Sequence, residues 1–97
     1  MERGGYIYIL TNKKHTVLYT GVTSNLANRL YEHRNGLYKK SFTSRYNVTK
    51  LVYYEGLTNI EEAIAREKQI KAGSRQKKQD LIYGFNSNWE DLTDTIE

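Results

Sequence analysis

Ninety-seven residues without a cysteine fill one compact domain and exclude a disulfide scaffold or a thiolate zinc site. No apolar run approaches membrane-spanning length and no signal-peptide pattern opens the chain, so a soluble, cytoplasmic protein is expected. The net charge is +4, but all 15 basic residues lie at or before Lys78, whereas Glu90, Asp91, Asp94 and Glu97 close the chain. A basic body attracts polyanions, nucleic acid above all; a merely solvated surface is the plain alternative. The acidic end reads as a surface tail that weakens non-specific phosphate binding.

In chain order, residues 6–10, rich in Tyr and Ile, read as a strand, and residues 16–21 as a second. The polar stretch from Asn12 to His15 reads as the turn between them, and His15 needs no further role there. A turn centred between Lys13 and Lys14 sets Tyr8 directly opposite Tyr19. A helix then runs to about Asn35, capped by Thr23 or Ser24 and stopped by Gly36. Leu26 and Leu30 face the sheet, and Arg29 and His33, spaced i, i+4, share a stripe beside them. The polar, basic stretch GLYKKSFTSRYN reads as a loop. Residues 48–54 read as the third strand, and residues 60–72 as a helix capped by Thr58 or Asn59 and ended by Gly73. A last helix follows Ser74, with Leu81 and Ile82 inward. From Gly84 the chain reads as irregular, with Trp89 and Leu92 laid on the body. The order ββαβαα predicts an α+β fold, a small three-stranded antiparallel sheet flanked by three helices. Residues 1–97 then form a single domain with a core over about 5–85 and an acidic tail over 86–97.

One carboxylate stands out. Ile60, Ala63, Ile64 and Ile70 share the inward stripe of the second helix, and Glu67 falls within it. An ionised carboxylate facing inward costs several kcal/mol unless it is paired or metal-bound. A structural ion pair, to Arg29 or a lysine, and a metal site are the two readings. The helix alone favours the ion pair.

Taken together these residues resemble the GIY-YIG nuclease family. YIYIL matches the first motif, with Tyr8 as its tyrosine, and YTG at 19–21 matches the second. Arg29 falls at the family's arginine spacing, His33 at a position often held by histidine, and Glu67, in EEAIAREKQIKAG, at the metal-binding glutamate. The likeness spans residues 5–85 and is carried by the ordered set, since any one motif is weak. Tyr6 stands where the name motif has glycine, and Thr20 replaces an isoleucine; neither position supplies a reacting group. The segment KAGSRQKKQ lacks a tryptophan that some relatives carry after the glutamate.

The resemblance implies a metal-dependent endonuclease that cuts DNA phosphodiester bonds. Arg29 would bind the phosphate, and Glu67 would hold one Mg²⁺ or Mn²⁺. Tyr8 would act as general base if nearby positive charge lowered its pKa, with Tyr19 orienting the water or exchanging roles with it and His33 relaying a proton or contacting phosphate. Cross-strand packing is the plain alternative for both tyrosines. Nucleic-acid contacts are expected from Lys39, Lys40 and Arg45 around Phe42 and Tyr46, and from a second patch of Lys71, Arg75, Lys77 and Lys78 with Arg66. No recognition helix or zinc module is visible in the sequence, so selection of DNA by shape is expected, with RNA left open and a partner protein supplying further specificity. Repair or recombination is the role the family analogy suggests. The competing reading is a catalytically weak nucleic-acid-binding module acting through partners.

Overall fold

The computed structural model describes residues 4–35 and 46–96. Strands β1 (Gly5–Thr11), β2 (Leu18–Thr23) and β3 (Lys50–Leu57) form one antiparallel sheet in the order β2-β1-β3. Three helices flank it: α1 (Leu26–Arg34), α2 (Ile60–Ala72) and α3 (Arg75–Phe85), followed by a 3₁₀ turn over Thr93–Thr95. This is the α+β order expected from the sequence.

The central strand is buried on both faces, and its alternating side chains build two cores. Ile7 and Ile9 pack with Ala63 and Ile70 of α2 and Ile82 of α3. Tyr6, Tyr8 and Leu10 pack on the other side with Leu26 and Leu30 of α1, joined by Leu92 and Ile96 from the chain's end. Gly5 lets α2 cross closely, since a side-chain carbon there would stand 2.8 Å from the Ala63 methyl. In β3 the pairing jumps from Tyr53 opposite Ile9 to Leu51 opposite Leu10. The resulting bulge explains why the consecutive Val52 and Tyr53 both join the α2–α3 core.

The β1–β2 register differs from the one expected. Tyr8 pairs with Gly21, and Tyr19 pairs with Leu10. The cause lies in the connection, which is a six-residue loop over 12–17 rather than a tight turn. Asn12 Oδ1 accepts from the backbone N–H of Thr16 at 2.8 Å and of Val17 at 3.2 Å, and His15 takes a left-handed conformation at φ 59°. The longer loop moves the pairing by two residues, and a two-residue shift keeps every side chain on its face. Tyr8 and Tyr19 therefore meet on the diagonal, with ring centroids 6.3 Å apart.

Helix α1 is capped by Asn25, whose side chain accepts from Asn28 N–H at 3.0 Å; Thr23 instead accepts from Asn25 N–H at 3.1 Å. Asn59 caps α2 and Ser74 caps α3. Beyond α3 the chain is not a loose surface tail. Asn86 donates to Val52 O at 3.2 Å and to Glu90 O at 2.7 Å, shaping a turn in which Trp89 sits buried at φ 53°. Leu92 N–H donates to Leu51 O at 2.8 Å, and Asp91 accepts from Leu51 N–H at 3.2 Å. The acidic end thus covers the outer edge of β3, where unpaired backbone groups would otherwise be exposed.

Gly21 is the position on which the sheet's functional face turns. A Cβ there would collide with the hydroxyl and ring of Tyr8, which lies across the bare backbone. Gly21→Ala is expected to lower stability by about 1–3 kcal/mol, the range for overpacking a closed core, as a reduced urea midpoint. An unchanged midpoint would show that Tyr8 does not lie over this residue.

Candidate active site

Four of the five catalytic candidates, Tyr8, Tyr19, Arg29 and His33, converge on the α1 face of the sheet; Glu67 belongs to α2. Tyr8 comes from β1, Tyr19 from β2, and Arg29 and His33 from consecutive turns of α1. Leu26 and Leu30 anchor the helix, so the neighbouring stripe of Arg29 and His33 lies along the sheet. The Tyr8 hydroxyl lies 3.1 Å from His33 Nε2. The His33 ring meets Tyr8 edge-on at 5.9 Å and Tyr19 at 5.7 Å. Arg29 and Tyr19 lie close enough to act electrostatically on the same hydroxyl.

Burial sets the protonation states. It holds the Tyr8 phenol well above the ordinary tyrosine range, and the neighbouring Tyr19 acts in the same direction. Arg29 opposes both through its charge and is outweighed. The condition set for Tyr8 as a general base, a pKa lowered by nearby positive charge, is therefore not met by Arg29: desolvation wins. Burial, and then the Arg29 charge, also hold the His33 imidazole below its usual value, with Glu32 partly offsetting them. At neutral pH the pair is a protonated phenol beside a neutral imidazole. With its proton on Nδ1, that imidazole presents Nε2 as an acceptor.

Glu32 is a member of this site that the sequence reading missed. Its carboxylate meets Arg29 Nε at 3.2 Å. The i, i+3 spacing on one helix was the available signal.

Glu67 lies on α2, which packs on the sheet face opposite α1. Its carboxylate is mostly buried and takes Lys71 Nζ at 2.8 Å, on a lysine that is itself half exposed. Among the described residues, no three His, Cys, Asp or Glu side chains cluster as a closed metal cage. A single hard carboxylate is nevertheless the donor set that suits Mg²⁺, which keeps most of its waters and takes substrate oxygens.

The second basic patch is partly tied into the fold. Lys78 donates to Gly73 O at 3.1 Å, and Arg75 to His15 O at 3.2 Å, which gives the hairpin tip a structural use. Lys50 also bonds the His15 ring at 2.8 Å, and that ring stacks on Trp89 at 4.8 Å. Arg66 is bound to Glu55 at 3.0 Å. Together with Arg66 and Lys78, Lys77 lines a groove of about 570 Å³ between α2 and α3. Lys39, Lys40, Phe42 and Arg45 lie outside the described residues.

The chain is similar to known proteins in sequence and in fold. A family model described as the GIY-YIG catalytic domain matches residues 4–80. A UPF0213 protein of Syntrophus aciditrophicus is 42% identical over 77 residues, covering 79% of this chain and 87% of that one. A UPF0213 protein of Clostridium perfringens is 44% identical over 77 residues, covering 79% and 81%. The solution NMR structure of a UPF0213 protein from Bacillus halodurans is similar with a TM-score of 0.57 and 30% identity, covering 92% and 93%.

The His33 environment has a measurable sign. A folded-state value below the ordinary ~6.5 means that the unfolded chain takes up the proton first as pH falls. This group's contribution to stability is therefore fully present above the ordinary value and is lost as the pH drops from there through the depressed one. NMR titration of the His33 ring should give a midpoint below 6.5, and His33→Gln should flatten the loss of stability over that window. A midpoint at or above the ordinary value would contradict the buried, neutral imidazole.

Proposed function

The chain belongs to the GIY-YIG catalytic-domain family, which makes a nuclease-type function the premise, and we propose that it is a divalent-metal-dependent endonuclease hydrolysing DNA phosphodiester bonds. The observation that carries this reading is the meeting of Tyr8, Tyr19, Arg29 and His33, from three elements, around one buried hydroxyl.

Hydrolysis needs an activated water, charge neutralisation on the phosphoryl oxygens and help for the leaving oxygen. Arg29 serves the second need, since a guanidinium fork donates two hydrogen bonds to a phosphate and stays charged. Tyr8 is too weak an acid to stand as a phenolate at neutral pH, so it works as a relay. Its oxygen takes the proton of the attacking water as its own proton passes to His33 Nε2. A neutral His33 is the state able to receive that proton. Tyr19 orients the water from beside Tyr8. A Mg²⁺ or Mn²⁺ held by Glu67, waters and substrate oxygens would supply Lewis-acid stabilisation of the leaving oxygen. To hold the cation Glu67 would give up its pairing with Lys71, whose ammonium would then be able to contact a backbone phosphate.

Lys39, Lys40, Arg45, Lys71, Arg75, Lys77 and Lys78 supply sequence-independent phosphate contacts, so the enzyme selects DNA by shape. Cytoplasmic repair or recombination, with a partner protein adding specificity, is the setting this suits. The Glu67–Lys71 pair favours a second reading, a nucleic-acid-binding module without turnover.

A panel of branched, nicked and single-stranded DNA with Mg²⁺ or Mn²⁺ separates the two. Wild type is expected to cut, with Glu67→Ala, Arg29→Ala and Tyr8→Phe slower by about 10²–10³-fold, the scale for removing one group that stabilises transition-state charge. Salt-sensitive binding without turnover, unaffected by Glu67→Ala, would establish the binding module. Equal cutting by wild type and variants would remove these residues from the chemistry.

A further inference from the structure

Helix α1 carries two of the reacting groups on only nine residues, a length that is marginal in isolation. Leu26 and Leu30 fix its first two turns to the sheet. His33 lies beyond that anchor, in the last turn. The next residue, Arg34, is gripped from outside the helix: its guanidinium bonds the Asp91 carboxylate and donates to Thr93 Oγ1 at 3.0 Å.

Asp91 is itself rigidly placed. Its carboxylate accepts from Thr93 N–H at 3.0 Å, from Thr93 Oγ1 at 2.6 Å and from Leu51 N–H at 3.2 Å. Burial opposes its ionisation, but these hydrogen bonds and Arg34 outweigh it and hold its carboxyl below the usual range. Leu92 and Ile96, on either side of the 3₁₀ turn, sink into the core that contains Tyr8, Leu26 and Leu30. The segment therefore runs from the edge of β3 to the end of α1, and it lies beyond residue 80, where the family match stops.

We propose that this acidic C-terminal segment is a strap that positions the active site, with the Asp91–Arg34 clasp holding the last turn of α1 so that His33 Nε2 stays on the Tyr8 hydroxyl. Asp91 and Arg34 are positioning residues; neither touches substrate. The strap explains why four acidic residues end a nucleic-acid-seeking chain: at least one of them is a structural counter-charge to α1. The inference rests on the reading of His33 as the proton acceptor.

The test is a double-mutant cycle of Arg34→Gln, Asp91→Asn and the pair together, in the full chain. The Asp91→Asn side chain keeps an acceptor oxygen for Leu51 and Thr93, so this variant loosens the clasp without undocking the segment. Two readouts are taken: kcat and KM for Mg²⁺-dependent cleavage, and the NMR titration of the His33 ring without DNA. Each single variant is expected to lower kcat by about 10-fold with KM within about 2-fold, a modest share of what a misplacement of about 1 Å costs. The His33 midpoint should move up toward its ordinary value, and the double variant should be no worse than either single. Unchanged kcat and an unchanged His33 midpoint in Asp91→Asn, or losses that simply multiply, would overturn the strap. If wild type cuts no DNA, the nuclease reading fails, while the His33 titration still decides whether the clasp holds the helix.

Discussion

The site depends on one aromatic ring lying across a strand position that has no side chain. Tyr8 is wholly buried in the core between the sheet and α1, and its ring and hydroxyl occupy the space over Gly21. From there the hydroxyl reaches His33, Arg29 and Tyr19. Packing and chemistry thus reside in the same side chain. A reacting oxygen fixed by a closed core is held as precisely as the core itself, which is how a small domain without added loops can preorganise a site. The same burial favours a protonated phenol and a neutral imidazole, the states that the proposed proton relay uses.

The functional charges share a second design. Arg29 is paired with Glu32 and Glu67 with Lys71, each with a residue one turn along its own helix. Partly exposed pairs of this kind contribute about 0–1 kcal/mol, so a phosphate or a hydrated cation can displace them at small cost. They keep the charged groups compensated and oriented while the protein is free. The Arg34–Asp91 pair is no less exposed and differs in reach: it spans 57 residues of sequence, and three further hydrogen bonds fix Asp91.

Much of this could be read from the residues because it is periodic or local. The element order, the shared stripe of Arg29 and His33, the Asn59 cap and the inward stripe containing Glu67 follow from 3.6- and 2-residue spacing and from capping chemistry. The β1–β2 register did not, because Asn12 uses its side chain to bond two backbone N–H groups and enlarges the loop. In the tail, Trp89 and Leu92 were legible as laid on the body, but the Asp91 contact was not: a run of acids signals a solvated segment, and its partner Arg34 is far away in sequence. The protonation state of Tyr8 turned on how completely the ring is buried, a quantity that no pattern of neighbours encodes. Glu67 was recognised as inward, and its lysine partner is the plain reading of that helix.

The most direct measurement is a crystal structure of the protein with a short DNA substrate and Ca²⁺ in place of Mg²⁺, so that the phosphodiester is caught before cleavage. The expected result is a phosphate on the Arg29 guanidinium with the Tyr8 hydroxyl facing it, and Glu67 turned from Lys71 to a cation. DNA bound away from Arg29, with Glu67 still on Lys71 and no cation near it, would contradict the account.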